Sequence, residues 1–148
     1  MLRNMEKQDR ETFLAMVREF YHTDAVLHEV DPENFERTFE AILEGNPFVR
    51  GYLFEYENEP AGYALLSLTY SNEVGSNVVL VEEAFILPQF QGKGLGTELF
   101  QFIEREFQGY AKRYRLEVTK TNRRAIALYK RMGYEELDYL QMVKDVTC

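Results

Sequence analysis

The sequence predicts a mixed α/β domain in which a mostly antiparallel central sheet is flanked by helices. Three observations lead there. Apolar residues recur at helical spacing as far as Leu43, fall into strand patterns from Gly51 to Leu87, and return to helical spacing after Gly96. In order along the chain, Asp9 is placed to cap a first helix that carries Phe13, Leu14, Met16, Val17 and Phe20 and ends near Tyr21. Asp31 followed by Pro32 marks a second helix start, because proline at the first helical position sacrifices only an N–H that has no helical partner. Phe35, Phe39, Ile42 and Leu43 form its buried stripe, and Gly45 stops it.

Strand patterns then cover residues 52–56, 61–70 and 78–87, with a turn at 57–60 and a polar loop at 71–77, which reads as an antiparallel meander. Val78, Val79, Leu80 and Val81 form a continuous apolar run, as expected of a central strand covered on both faces. Leu99, Phe100, Ile103 and Phe107 lie on one side of a third helix. A short strand at 115–119, a helix at 122–132 closed by Gly133, and a last strand at 139–143 complete the pattern.

With 148 residues, 45% of them hydrophobic, the chain is of a size to bury one core without disulfides or metal, and no repeat, linker or low-complexity tract divides it. A single domain spanning 1–148 is expected. The one cysteine, Cys148, rules out an internal disulfide framework and a Cys-rich metal site. The opening residues are charged from Arg3 onward and give no apolar run long enough for a signal peptide or a membrane span, so a cytoplasmic protein is expected. The net charge of -8, from 25 acidic and 17 basic residues, argues against nucleic-acid binding, since phosphate backbones are held by Lys and Arg. An acidic surface favours cationic partners, although it also serves solubility. Lys120, Arg123, Arg124, Lys130 and Arg131 nevertheless form a basic stretch without an intervening acid, suited to an anion.

The chemistry-bearing segment is 86–97, where a buried strand breaks at Pro88 and runs through Gly92, Gly94 and Gly96 into a helix. Glycines permit sharp turns and close approach of backbone N–H groups to a ligand, and a helix N-terminus adds unpaired donors and a positive dipole end. A phosphate or pyrophosphate is the natural guest. The Walker pattern fails, because Lys93 is followed by Gly94 and not by Ser or Thr. The dinucleotide fingerprint fails too: the glycines alternate, and they follow a meander late in the chain.

A third pattern, Gln-x-x-Gly-x-Gly, is filled by Gln91, Gly94 and Gly96 and resembles the pyrophosphate loop of the GNAT superfamily of N-acetyltransferases. Downstream, Asn122, Ala125, Leu128, Tyr129, Gly133 and Tyr134 resemble the superfamily's Asn-x-x-Ala-x-x-Leu-Tyr-x-x-x-Gly-Phe segment, with Tyr134 in place of Phe. The order of elements agrees over nearly the whole chain, and the strand pair around 62–71 and 81–87 looks like the diamine and polyamine acetyltransferase branch. The resemblance implies the GNAT acyltransferase fold, acetyl-coenzyme A as co-substrate, a small-molecule amine acceptor and a homodimer. It implies further that the pantetheine arm meets the backbone at Phe85, Ile86 and Leu87, and that backbone amides from Gln91, Gly92, Lys93, Gly94, Leu95, Gly96 and Thr97 hold the pyrophosphate. Lys93 either adds charge there or is a solvated loop lysine. Asn122 caps a helix, contacts the cofactor, or does both.

Attack on a thioester needs a neutral amine, so the site must take a proton and later supply one to the leaving thiolate. The resemblance puts Tyr129 in the place of the acid; alternatively its ring only packs. For the base, Glu82 and Glu83 adjoin in an otherwise apolar strand, and alternation sends them to opposite faces, so one of them points inward or into a cleft. The family match favours Glu82, with Glu83 a close rival. His22 and His28 fall in the early region that shapes acceptor pockets in the family, but a lone histidine there is more often a surface residue. A non-catalytic acyl-coenzyme A sensor or an interaction module on the same fold is the alternative to the enzyme.

Overall fold

The computed structural model describes residues 1–147; Cys148 lies outside them. The strands are β1 (Leu2–Asn4), β2 (Val49–Tyr56), β3 (Glu59–Ser71), β4 (Ser76–Ile86) and β5 (Ala111–Leu116), joined in one sheet of order β1-β2-β3-β4-β5. The helices are α1 (Arg10–Phe20), α2 (Glu33–Leu43), α3 (Leu95–Glu106) and α4 (Arg123–Arg131). Strands β1 to β4 pair antiparallel and β4 pairs parallel with β5, so the sheet is mixed and mostly antiparallel, as the sequence predicts.

The two faces carry two cores. Phe13, Leu14, Met16 and Val17 of α1 and Phe35 and Phe39 of α2 bury against Leu53, Tyr63, Leu65, Phe85 and Leu87. Leu95, Leu99, Phe100 and Ile103 of α3 bury against Tyr52, Phe54, Ala64, Leu66, Leu68, Val79 and Val81 on the other face. Each such fully buried side chain contributes roughly 1.5–3 kcal/mol. Leu43, expected in the buried stripe of α2, is instead exposed, because the stripe ends at Ile42 as the helix reaches its C-terminus.

Several boundaries differ from expectation. Strand β1 lies outside the expected elements; three residues carry no period, and it is held by pairing with 52–54 and by Arg3, whose guanidinium grips Asp9 (2.8 and 2.9 Å) and Glu55. Asp9 therefore does not cap α1: its carboxylate is taken by Arg3 and by the Glu6 N–H, and the Arg3 charge holds it below the usual carboxylate range. Strand β5 starts at Ala111, ahead of the expected 115–119. The strand expected at 139–143 does not form. Among the described residues this segment has no regular structure and leaves Leu140, Met142 and Val143 close to fully exposed, since an apolar alternation becomes a strand only beside a partner edge.

Gly62 fixes the approach of β3 to β4. A Cβ there would stand 2.1 Å from the Phe85 carbonyl oxygen, backbone that cannot swing aside. Gly62→Ala is expected to cost about 2–3 kcal/mol by prying the strands apart, read as a lower midpoint in urea unfolding.

Candidate active site

Two irregularities in β4 make the site. In the β3/β4 register Leu65 faces Glu83 and Leu66 faces Val81, so Glu82 is an extra residue without a partner, a β-bulge. The bulge resets the alternation. Val79 and Val81 lie on the α3 face before it, Ala84 and Ile86 lie on that face after it, and Phe85 and Leu87 lie on the α1/α2 face. Glu82 and Glu83 consequently do not point to opposite faces. Glu83 bonds Tyr21 and Tyr63 of the α1/α2 layer, while Glu82 accepts from Ser67 at 2.9 Å, a residue set opposite Leu66 and Leu68. Both carboxylates look toward α1 and α2, which corrects the expectation from simple alternation.

The second irregularity is a fork. Parallel pairing of β4 with β5 ends at Val81 and Leu116, whereas β4 continues to Ile86. Among the described residues no strand lies beside β4 from Glu82 to Ile86 on the side away from β3, so the backbone groups turned that way lack a strand partner. This is the stretch around Phe85, Ile86 and Leu87 singled out in the sequence. Leu87 is tied back by its N–H to the Ala61 carbonyl at 2.8 Å, and Ile86 O accepts from Gln91 Nε2 at 3.1 Å.

Beyond the fork, one turn of 3-10 helix at Pro88–Phe90 leads to Gln91, Gly92, Lys93 and Gly94 and into α3. Gly92 and Gly94 have φ of +78° and +77°, the left-handed region open to glycine and costly to residues with a side chain. No side chain caps α3, and its first helical bond runs from the Glu98 N–H to the Gly94 carbonyl. The N–H groups of Leu95, Gly96 and Thr97 thus have no helical acceptor and sit at the positive end of the helix dipole. A Cβ on Gly96 would meet Leu128 Cδ2 at 3.1 Å, so this glycine sets how closely α3 and α4 pack.

Two cations stand at the loop. Lys93 lays its Nζ over the Tyr56 ring, 5.4 Å from the centroid. Arg124, in the first turn of α4, reaches Gln91 Oε1 at 3.4 Å, which makes it the member of the basic stretch that touches the glycine loop. Asn122 is the N-cap of α4, its Oδ1 accepting from the Ala125 N–H at 3.2 Å, as expected. Thr119, in the segment leading from β5 to α4, has a buried hydroxyl without a hydrogen-bond partner.

Tyr129 projects from α4 against the α3 layer, edge-on to Phe100 at 5.3 Å. Its hydroxyl has no hydrogen-bond partner among the described residues, and burial pushes its phenol up. The carboxylate pair and this phenol therefore belong to opposite faces of the sheet, with the fork between β4 and β5 opening from one face to the other. Sequence reasoning missed Tyr21 and Tyr63, the two phenols on Glu83 at 2.6 and 2.7 Å. His22 and His28 are exposed in the α1–α2 connection.

The residues fit a nucleotide thioester: the forked strand offers an edge to an extended amide-bearing arm, and the helix start offers outward-facing donors to a diphosphate. A sheet forked in this way, with a glycine loop at its mouth, is the architecture of an acyltransferase working on acyl-coenzyme A. The chain belongs to the acetyltransferase (GNAT) family, whose sequence profile matches residues 12–134. It is an acetyl-coenzyme A-dependent N-acetyltransferase. It is 28% identical over 145 residues to the thialysine N-epsilon-acetyltransferase of Mus musculus, covering 92% of this chain and 84% of the relative. It is 33% identical over 91 residues to the spermine/spermidine N(1)-acetyltransferase of Bacillus subtilis (strain 168), covering 57% and 60%. The solved structure of a possible acetyltransferase from Clostridium difficile 630 superposes with a TM-score of 0.83 at 18% identity, covering 100% of this chain and 98% of the other. No helix among the described residues is long and apolar enough to cross a membrane.

Proposed function

We propose that the protein transfers acetyl from acetyl-coenzyme A to the primary amine of a small cationic molecule, by direct attack within a ternary complex. The observation that carries this reading is the fork in the sheet with carboxylates on one side and a phenol on the other. When bound, acetyl-coenzyme A supplies an acetyl group activated as a thioester. The edge of β4 at Phe85 and Ile86, with Leu87 just beyond it, orients the arm, and the backbone from Gln91 to Thr97, with Lys93, Asn122 and Arg124 around it, holds the diphosphate. A carboxylate of the Glu82/Glu83 pair takes the proton of the acceptor's ammonium, which frees the nitrogen lone pair. Tyr129 holds the proton that the departing sulfur needs.

The cationic acceptor is supported by the net charge of -8 and by the names of two relatives, whose substrates, thialysine and spermine or spermidine, are cationic amines. The test is thiol release by the purified protein against a panel of diamines, polyamines, amino acids and aminoglycosides. Release that rises with a diamine or polyamine is the expected result; cofactor binding with no amine-dependent release would leave only a sensor. A cytoplasmic protein acting on neither nucleic acid nor membrane is part of the same reading, as is a homodimer. The dimer is supported by the apolar segment that includes Leu140, Met142 and Val143 and by the outer edge of β5, unpaired among the described residues, since two copies satisfy each other by reciprocal strand addition. Light scattering at micromolar concentration is expected to give twice the chain mass, and a monomer would count against it.

A further inference from the structure

Glu83 is a half-buried carboxylate in an inner strand of the sheet. Tyr21 donates to Oε2 at 2.6 Å and Tyr63 donates to Oε1 at 2.7 Å, and the two phenols come from different elements. Tyr63 is fully buried in β3, while Tyr21 is the half-buried C-cap of α1, 62 residues from Glu83 in sequence. Aromatic rings wall the group. Phe20 meets Tyr21 at 5.3 Å, Tyr63 at 6.3 Å and Phe85 at 5.5 Å, and Tyr21 stands 4.8 Å from Phe35. A carboxylate oxygen has two lone-pair directions, so one phenol on each oxygen fixes the group and leaves a direction free on each. Glu82 is exposed and, among the described residues, is held by Ser67 alone.

We propose that Tyr21 and Tyr63 are positioning residues that clamp Glu83 as the proton acceptor for the incoming amine, with Tyr21 tying that carboxylate to the α1–α2 connection. The inference rests on the acetyl-transfer reading above and decides which of its two carboxylates serves. The N–H bond of the acceptor's ammonium breaks, its proton passes to Glu83, and the nitrogen keeps the electron pair that forms the new C–N bond. The adduct then loses its second nitrogen proton to solvent and collapses, the C–S bond breaking with its electron pair going to sulfur, which takes the proton of Tyr129. The tyrosinate regains a proton from solvent and Glu83 returns to solvent the one it took, so one proton is released per acetyl transferred.

The groups that face Glu83 are Tyr21 from α1, Tyr63 from β3 and Glu82 on its own strand. Burial raises the Glu83 carboxyl above the ordinary range, the two phenol bonds pull it down, and the Glu82 charge pushes it up. A base acts in its deprotonated form, so kcat/KM falls as pH drops below the Glu83 pKa. Tyr21→Phe removes a bond that favours the charged form, raises that pKa and moves the acid limb to higher pH. A shift of about one pH unit is expected, which is about a tenfold loss of kcat/KM on the acid side of the limb. Loss of packing alone would lower kcat without moving the limb.

Because Tyr63 is fully buried, Tyr21→Phe carries the test. The full chain, with glutamate δ-carboxyls labelled with carbon-13, is titrated by NMR beside the pH profile of amine-dependent thiol release. The expected result is one glutamate resonance titrating above the rest, absent in Glu83→Gln and shifted upward in Tyr21→Phe, with the acid limb moving in step. An unmoved resonance and limb in Tyr21→Phe, or loss of the limb in Glu82→Gln instead of Glu83→Gln, would overturn the clamp. Absence of amine-dependent release in the wild type sinks the acetyl-transfer reading and with it the assignment of Glu83 as acceptor of the amine's proton.

Discussion

Tyr129→Phe is expected to lower turnover by about 10²- to 10³-fold, the range for removing a general acid, while acetyl-coenzyme A binds within about a factor of two of the wild type. The split follows from what the side chain touches. Its ring packs edge-on to Phe100 and against Tyr134, and phenylalanine keeps both contacts. Its hydroxyl bonds no described residue, so the folded chain loses little when it goes. What is lost is a proton held in a half-buried place, where desolvation keeps the phenol protonated over the working pH range. Steady-state thiol release gives the first number and calorimetry with the cofactor the second. Undiminished turnover would hand the proton to water or to another side chain.

Gly94→Val is expected to raise the dissociation constant for coenzyme A by about 10- to 100-fold, with a smaller effect on stability. Gly94 holds φ at +77°, a region that costs an ordinary residue roughly 1–2 kcal/mol and a β-branched one more. No atom lies within 4 Å of the Cβ it would gain, so the penalty is conformational and not a clash. The loop relieves it by changing φ, which re-aims the N–H groups entering α3 and spoils their convergence on a diphosphate. Equilibrium binding measured beside thermal melting separates the two effects. Unchanged affinity in a folded variant would remove residues 91–97 from the cofactor site.

The sequence was informative where structure depends on neighbours in the chain. Helical spacing located α1, α2 and α3, the apolar runs located the meander, and three glycines located the loop, because each of these signals is complete within about a dozen residues. The failures share a cause. Strand β1 exists through pairing with 52–54, the segment at 139–143 lacks the edge that would make it a strand, and Glu82 is a bulge only relative to Leu65 and Leu66. Each depends on a partner that no local pattern reveals. The same holds for the site: Glu82, Glu83 and Tyr129 are legible as reactive letters in unusual places, whereas Tyr21 figures only as the end of the first helix and Tyr63 only as a position in a strand until folding brings both to one carboxylate.

The extra residue at Glu82 works as a phase change in the strand. Everything after it is read with even and odd positions exchanged, so Phe85 and Leu87 belong to the layer of α1 and α2 only because one residue was inserted upstream. The spacing at this point is fixed as firmly as the two glutamates themselves. Removing a single position would turn two large apolar side chains away from their own layer and bring Ala84 and Ile86 into their place. The count of residues in β4 therefore decides which side chains face each layer, and a one-residue deletion here is read out as the loss of two large apolar contacts at once.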